Sequence, residues 1–354
     1  VVAKANIIIT ALAKAAQRWS DYDYPVRQDA VNRSLEADNR FTEAAVTFAV
    51  NQQMALLTEE ALRSWQEQLG WDEKRTVGVL NPGNIPFVEL QDFVGVVLSG
   101  ASYIGSVSSK SPALFPAFLS DVIEIYPDLR ADISDWEDVV ESCDILIASG
   151  SDDTMLKVSE MADEASIVSE ARWIRGHRFS VSVLGGRESK DDLVSLAEDA
   201  LLHEGLGCRN TALIFAPAAM EIDPVLDCFA TFRGTFAAHP ATTGSLKMQQ
   251  AFLKAVSTPH AFADDLQFLI SRGEAEPQQP GHLRWVPYEN LEEVTDWLND
   301  HTSEIQCVFT SRKLQNIIAG AEIIGSAQRP TLTWAPDQMT HTAFFKHQTR
   351  KKGV

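Results

Sequence analysis

The chain has 354 residues, 45% of them hydrophobic, and its 30 Lys and Arg are outnumbered by 49 Asp and Glu, for a net charge of -19. A field of that sign repels phosphate backbones and anionic lipid, which argues against nonspecific nucleic-acid binding and docking on an acidic membrane. It leaves room for a small phosphorylated ligand at a helix N-terminus. The length predicts two or three domains at roughly 150 residues each, and the acid excess is compatible with a high-salt cytoplasm.

The opening VVAKANIIITALAKAAQRWSDYDYP reads as an amphipathic helix interrupted by Lys4, Lys14, Gln17 and Arg18. It shows neither a signal peptide's basic leader and cleavage site nor the roughly 18 apolar residues of a membrane span. Residues 42–69 carry Ala45, Val46, Phe48, Ala49, Met54, Leu57, Ala61, Leu62 and Trp65 at helical spacing, which predicts one long helix stopped by Gly70. Beyond a polar joint, short apolar runs at 76–80, 103–107, 144–148 and 180–184 alternate with helical stretches at 89–101, 112–126, 153–166 and 189–203. Four such pairs, with strands rich in Val and Ile, predict a parallel sheet covered by helices.

A second α/β region follows Gly207, with strands at 211–217, 282–286, 305–309 and 321–325 and helices at 224–234, 245–257 and 290–298. Residues 271–283 read as a polar, turn-rich surface segment. The tail, with Lys346, Arg350, Lys351 and Lys352, is a short basic end suited to the acidic surface of its own chain or of a neighbouring subunit. Four cysteines in a chain able to bury large cores read as reduced thiols of a cytoplasmic protein. No cysteine pair is close in sequence and the eight histidines make no HExxH spacing, so no metal site is expected.

Three local features carry chemistry. In HEGLGCRN (203–210), Cys208 follows Gly205 and Gly207 between a helix and a strand, where a tight turn lets a substrate approach the thiol. The alternative is a buried thiol at an ordinary turn. NPGNIPF (81–87) lies at the C-terminal end of the first strand, where ligands of open α/β sheets bind and where an Asn amide can donate to an oxyanion. Asn-Pro-Gly is also a common turn. In ASGSDDT (148–154), Gly150 and Ser151 precede a helix whose N–H groups suit a phosphate, although Asp152 and Asp153 also read as simple helix-start residues. Cys143, Cys228 and Cys307 lie in strand or helix contexts and read as packing residues. No GxGxxG after a strand, GxxxxGK[ST] or GxSxG is present.

Taken in order, NPGNIPF, VLGG (183–186) and GLGCRN followed by TALIFAP resemble the aldehyde dehydrogenase superfamily. The closer resemblance is to its acyl-CoA reductase branch, which includes the long-chain fatty acyl reductase of bacterial luminescence systems. NIPFVELQDFVGVVLSGASYIGSVSSK is similar to that branch's N-I-P segment, helix and Ser-Ser-Lys turn, and GSAQRPTLTW (325–334) to its C-terminal segment. The resemblance runs from about residue 40 to 345 and implies two α/β domains with open, largely parallel sheets. Residues 1–203 would bind a nicotinamide cofactor behind an N-terminal helical segment. Residues 204–320 would be catalytic, and 321–354 would return to the first domain or to a subunit interface.

The resemblance further implies that Cys208 is the catalytic nucleophile and Asn84 the oxyanion donor. Leu80, Asn81, Pro82 and Gly83 would line the nicotinamide side, Gly150 and Ser151 would lie near the dinucleotide phosphates, and Leu184 and Gly185 would adjoin the cofactor. Ser106 stands where a ribose-binding lysine is common; either Lys110 reaches in or Ser106 and Ser108 supply weaker cofactor contacts, so NADPH and NADH both stay open. Val183 stands where hydrolytic relatives carry a glutamate, which favours transfer to or from a thiol carrier; Glu204 is the substitute base. The implied reaction is NAD(P)H-dependent reduction of an acyl-CoA or related acyl thioester to an aldehyde through a cysteine thioester. A homo-oligomer or an acyl-activating protein is the implied partner. A non-catalytic binding subunit and a cysteine acyltransferase or thioesterase are the alternatives.

Overall fold

The computed structural model describes residues 2–350, the side chains of 349 and 350 excepted, and the elements below are counted among these. Lys351, Lys352 and the Arg350 side chain of the basic tail lie outside the described residues. The chain divides into two compact units. The first contains the chain up to Asn39, Ala45–His177 and the segment from Thr331 onward; the second contains Arg40–Ala44 and Arg178–Pro330. The division falls at 177/178 rather than at 203, because the strand after Arg178 pairs with strands of the second unit.

The first unit opens with helices α1 (Val2–Trp19), α2 (Pro25–Glu36), α3 (Glu43–Leu56) and α4 (Glu59–Leu69). The long helix expected over 42–69 is broken between α3 and α4, because the Thr58 hydroxyl accepts the Ala61 N–H at 3.2 Å and starts a new helix as an N-cap. Then come β1 (Thr76–Leu80), α5 (Leu90–Leu98), β2 (Ser102–Ser106), α6 (Leu114–Ile125), β3 (Ala131–Ile133), α7 (Trp136–Ser142), β4 (Ile145–Ser149), α8 (Asp152–Glu164) and β5 (Arg172–Arg175). The sheet is parallel throughout, in the order β3-β2-β1-β4-β5. The chain winds outward from β1 through β2 to β3 and then crosses to β4 on the other side of β1. The loops after β1 and β4 therefore diverge at a topological switch point.

Trp19 of α1 meets Phe87 and Phe118 edge to face and donates its indole N–H to Asp121 at 2.6 Å. The C-terminal helix (His341–Arg350) is tied to the same unit through Asp92 of α5, which bonds His341 Nε2 at 2.7 Å and pairs with Arg175. Burial opposes ionisation of Asp92, but Arg175 and His341 outweigh it and hold the carboxyl well below the usual carboxylate range.

The second unit contains β6 (Phe179–Val183), α9 (Lys190–Leu201), β7 (Thr211–Pro217), α10 (Asp223–Thr235), α11 (Pro240–Ala255), β8 (His260–Phe262), β9 (Leu269–Arg272), β10 (His282–Tyr288), α12 (Leu291–Asp300), β11 (Ile305–Thr310) and β12 (Glu322–Ile323). Its sheet runs β12-β11-β6-β7-β10-β9-β8 and is parallel except for the β8/β9 pair. One face of β6 and β7, with Val181, Val183, Leu213 and Phe215, packs with Val294 and Leu298 of α12 and with the partly buried Trp297. The polar stretch expected over 271–283 holds the end of β9 and the start of β10, because its ladder bonds satisfy the backbone that the side-chain pattern leaves unmarked. The expected open, largely parallel α/β architecture is present in both units.

Candidate active site on the Cys208 turn

The Cys208 turn is built from its backbone outward. α9 ends at Leu201, and the next residues turn the chain through left-handed conformations, with φ of 55° at His203, 59° at Glu204 and 71° at Gly205. Side chains at such angles cost of order 1 kcal/mol each, so the kink needs an anchor. Glu204 provides one: its buried carboxylate takes a hydrogen bond from Arg233 at 3.0 Å and another from the His239 N–H at 3.1 Å. Both oxygens are thus committed to the fold, and Glu204 is a structural anchor rather than a substitute base. Burial pushes the neighbouring His203 imidazole down to about 4.

Asn210 closes the turn. Its Oδ1 accepts the Gly207 N–H at 2.9 Å, and its amide donates to the carbonyls of Asp199 at 3.0 Å and Leu202 at 2.7 Å. Cys208 is left exposed on this fixed turn, its carbonyl accepting the Ser180 hydroxyl at 2.8 Å. Arg209 next to it is buried, donating to Ala327 O at 2.7 Å, Ser326 O at 3.0 Å and both carboxylate oxygens of Glu322. Burial works against the Arg209 charge, but bonds to Glu322 and the proximity of Cys307, Glu322 and Cys208 raise its pKa above the ordinary value. A fixed positive charge therefore sits beside the exposed thiol.

Beside the segment that Arg209 grips lies a cavity of about 560 Å³. Val194, Phe232, Phe236, Ile323 and Ile324 give it apolar walls, and the Glu198–Arg329 ion pair adds charge.

The other cysteines have different surroundings. Burial pushes Cys143 up to about 11 and Cys307 up to about 12, and also raises Cys228. The Cys143 sulfur lies 2.8 Å from where a Cβ on Gly78 of β1 would stand, so this thiol fills a space that glycine leaves open.

Leu184 and Gly185 lie away from Cys208. β6 and β7 run parallel, Ser180 opposite Thr211 and Val183 opposite Phe215. The connection leaves the C-terminal end of β6, returns along α9 and enters β7 at its N-terminal end. A βαβ crossover thus puts VLGG and GLGC at opposite ends of the sheet. Leu184 is wholly buried, with its N–H on Phe215 O and its carbonyl accepting the Tyr288 hydroxyl. Val183 is core, so its lack of a carboxylate says nothing about water at the thiol.

In the first unit, the structure gathers Leu80, Asn81, Pro82, Gly83, Ser106, Ser108, Gly150 and Ser151 at the C-terminal edge of one sheet, with Leu80 opposite Ser106 on one side and Ala148 on the other. Ser106 is 2% exposed, and Asn81 bonds its carbonyl at 2.8 Å and its hydroxyl through the N–H at 3.4 Å. It ties the β1 and β2 ends together. A Cβ on Gly83 would stand 2.2 Å from Ser108 Oγ, so these loops touch where only glycine fits. Ser151 caps α8 by accepting the Thr154 N–H at 3.4 Å, while Asp152 accepts the His177 N–H at 2.7 Å. Asn84 lies half-buried on the loop leading to α5.

A dinucleotide fits this edge in part. Asn81 Oδ1 is buried and has no hydrogen-bond partner among the described residues, an acceptor that a ribose hydroxyl or carboxamide can satisfy. The two aspartates in the first turn of α8 disfavour pyrophosphate directly on its N–H groups.

Sequence reasoning missed Asp199, Arg209 and Glu322. Asp199 was detectable as a charge on the apolar face of α9, three residues after Leu196. Arg209 and Glu322 are far apart in sequence and only the sheet unites them. No group of His, Cys, Asp and Glu able to hold a metal occurs among the described residues, and none of their helices is long and apolar enough to cross a membrane.

No protein-family model matches the chain, and no curated protein matches it. Solved structures do. An oxidoreductase from Marinobacter aquaeolei is 11% identical, with a TM-score of 0.71 over 98% of this chain and 84% of that one. The NAD-dependent benzaldehyde dehydrogenase of Corynebacterium glutamicum is 11% identical, with 0.67 over 90% and 80%. The aldehyde dehydrogenase of Bacillus cereus, solved with NAD+, is 11% identical, with 0.68 over 90% and 74%. Two α/β units with these sheets, matched over most of their length by such structures, give the chain an aldehyde dehydrogenase-like fold.

Proposed function

We propose that the chain is a nicotinamide-dependent oxidoreductase that reduces an acyl thioester, such as an acyl-CoA, to an aldehyde, with Cys208 carrying the acyl group. The observation that carries this reading is the Cys208 thiol itself: exposed, on a turn fixed by Asn210, and next in sequence to a buried arginine whose side chain holds a segment that helps to wall an apolar cavity. Cys208 Sγ attacks the acyl carbon, the new C–S bond forms, the bond to the carrier sulfur breaks, and the carrier leaves as its thiol with a proton. The resemblance of NPGNIPF to the superfamily's motif is what supports the Asn84 amide as oxyanion donor, a contribution worth roughly 3 kcal/mol in comparable sites. The cavity walls accept the acyl chain.

Asn81, Pro82 and Gly83 after β1, with Leu80 at its end, and Gly150 and Ser151 after β4 would hold the dinucleotide. When bound, it supplies the hydride for reduction.

Two measurements test this. Incubation with acyl-CoA alone should leave one acyl adduct on the GLGCRN peptide by mass spectrometry. Loss of reduced-nicotinamide absorbance with an acyl-CoA panel, under NADPH or NADH, should accompany aldehyde release. Turnover with Cys208 unmodified would overturn the assignment of the nucleophile, and acid in place of aldehyde would make the protein a thioesterase. An adduct with no response to either dinucleotide would favour the acyltransferase reading, which the aspartates at the start of α8 support.

A further inference from the structure

Asp199 is a carboxylate on the buried face of α9 that none of the roles above uses. Its Oδ2 accepts the Gly325 N–H at 2.6 Å and its Oδ1 accepts the Ala327 N–H at 3.1 Å. From the other side Arg209 donates to the carbonyls of Ser326 and Ala327. The 325–327 segment is thus gripped by its N–H groups on one edge and its carbonyls on the other. Asn210 joins the two grips, since its amide bonds the main-chain oxygen of Asp199. The gripped segment, with Ile323, Ile324 and Arg329, also walls the cavity.

We propose that Asp199 is a positioning residue: with Arg209 it holds the 325–327 segment in register with the Cys208 turn, and its protonation loosens that grip, so that thiol reactivity and the cavity wall respond to pH. This rests on Cys208 being the nucleophile. The ionised carboxylate is a strong, charged acceptor at both oxygens, whereas the neutral acid keeps one carbonyl oxygen and one hydroxyl oxygen of weaker acceptor strength. Protonation removes the charge assistance from both bonds and leaves one of the two N–H groups on the weaker hydroxyl oxygen, so the grip on the segment weakens.

The charged groups around Asp199 come from every element packed on it. Glu198 of α9 repels it and is itself paired with Arg329, two residues beyond the gripped segment. Arg209 from the Cys208 turn attracts it and is in turn held by Glu322 after β11. Burial is the largest influence and favours the neutral acid, the N–H groups of Gly325 and Ala327 oppose it, and the balance pushes Asp199 up to about 7.

The test uses the full-length protein. Amide hydrogen exchange at Gly325 and Ala327, corrected for the intrinsic pH dependence, should show about tenfold greater protection at pH 8 than at pH 6, as expected for one hydrogen bond to a charged group. Alkylation of Cys208 by iodoacetamide should show an inflection near pH 7 beyond that of thiol ionisation. Asp199→Asn, which presents one acceptor and one donor, should abolish this inflection and keep the pH 6 behaviour throughout. Equal protection at both pH values in the unmodified protein overturns the proposal even if the variant fails to fold, as does an Asp199→Asn profile superimposed on that of the unmodified protein. If these shifts occur while acyl-CoA leaves no adduct on Cys208, the positioning role stands and the assigned reaction falls.

Discussion

Glu89, on the loop that runs from Asn84 into α5, gives the most quantitative prediction. It is wholly buried, and neither carboxyl oxygen makes a hydrogen bond of good geometry among the described residues. Burial lifts its pKa from 4.5 to about 8, against the smaller pull of its own backbone N–H and the Ser111 hydroxyl. At pH 7 the folded chain keeps a proton that the unfolded chain has released. The difference of about 2.5 pH units costs about 3 kcal/mol of stability. The cost is absent below the unfolded pKa, grows as pH rises through the interval, and levels off above the folded pKa. Glu89→Gln mimics the neutral acid and removes the titration. Urea unfolding between pH 5 and 9 should therefore show the variant's stability, relative to the unmodified protein, rising by about 2.5 kcal/mol from pH 5 to 7 and flattening above 8. The slope is diagnostic rather than the offset, because the buried glutamine amide brings its own desolvation cost. Parallel stability curves for the two proteins would show that Glu89 ionises freely in the folded state and refute the reasoning.

Two further predictions concern the sites. Gly83→Ala would drive a Cβ to within 2.2 Å of Ser108 Oγ; it should cost about 1–3 kcal/mol by overpacking and abolish the thermal shift produced by NADH or NADPH, and an undiminished shift would remove this loop from the cofactor site. Single Ala replacements of Cys143, Cys228 and Cys307 should each lower stability by about 1–3 kcal/mol through a cavity while leaving acyl uptake per folded molecule intact by mass spectrometry. An adduct lost in a folded variant as fully as in Cys208→Ala would mean the thiols had been assigned wrongly.

The sequence by itself determined the local alternation. Runs such as TVGVL, DILIA, TALIFAP and IQCVF are apolar on both faces, and a strand with both faces buried needs helices above and below. The parallel α/β class therefore follows from β-branched runs separated by amphipathic helices. Cys208 also stood out locally, because Gly205 and Gly207 mark a turn wherever they are placed. Short strands such as β3, β5 and β8 were not legible, since three or four residues carry too little periodicity and their pairing partners supply the missing signal.

Only the tertiary structure decided which motifs share a site. VLGG and GLGC look like neighbours along the chain, yet the parallel β6-α9-β7 crossover puts them at opposite ends of the sheet. Glu204 looks available for chemistry in sequence, but pairing with Arg233 commits it to the fold. Conversely, Asp199, Arg209 and Glu322 converge on one short segment although more than a hundred residues separate the first from the last. The physical reason is common to all of them. Periodicity reports only which face of an element is buried, whereas the partner of a buried charge is set by strand order and crossover direction.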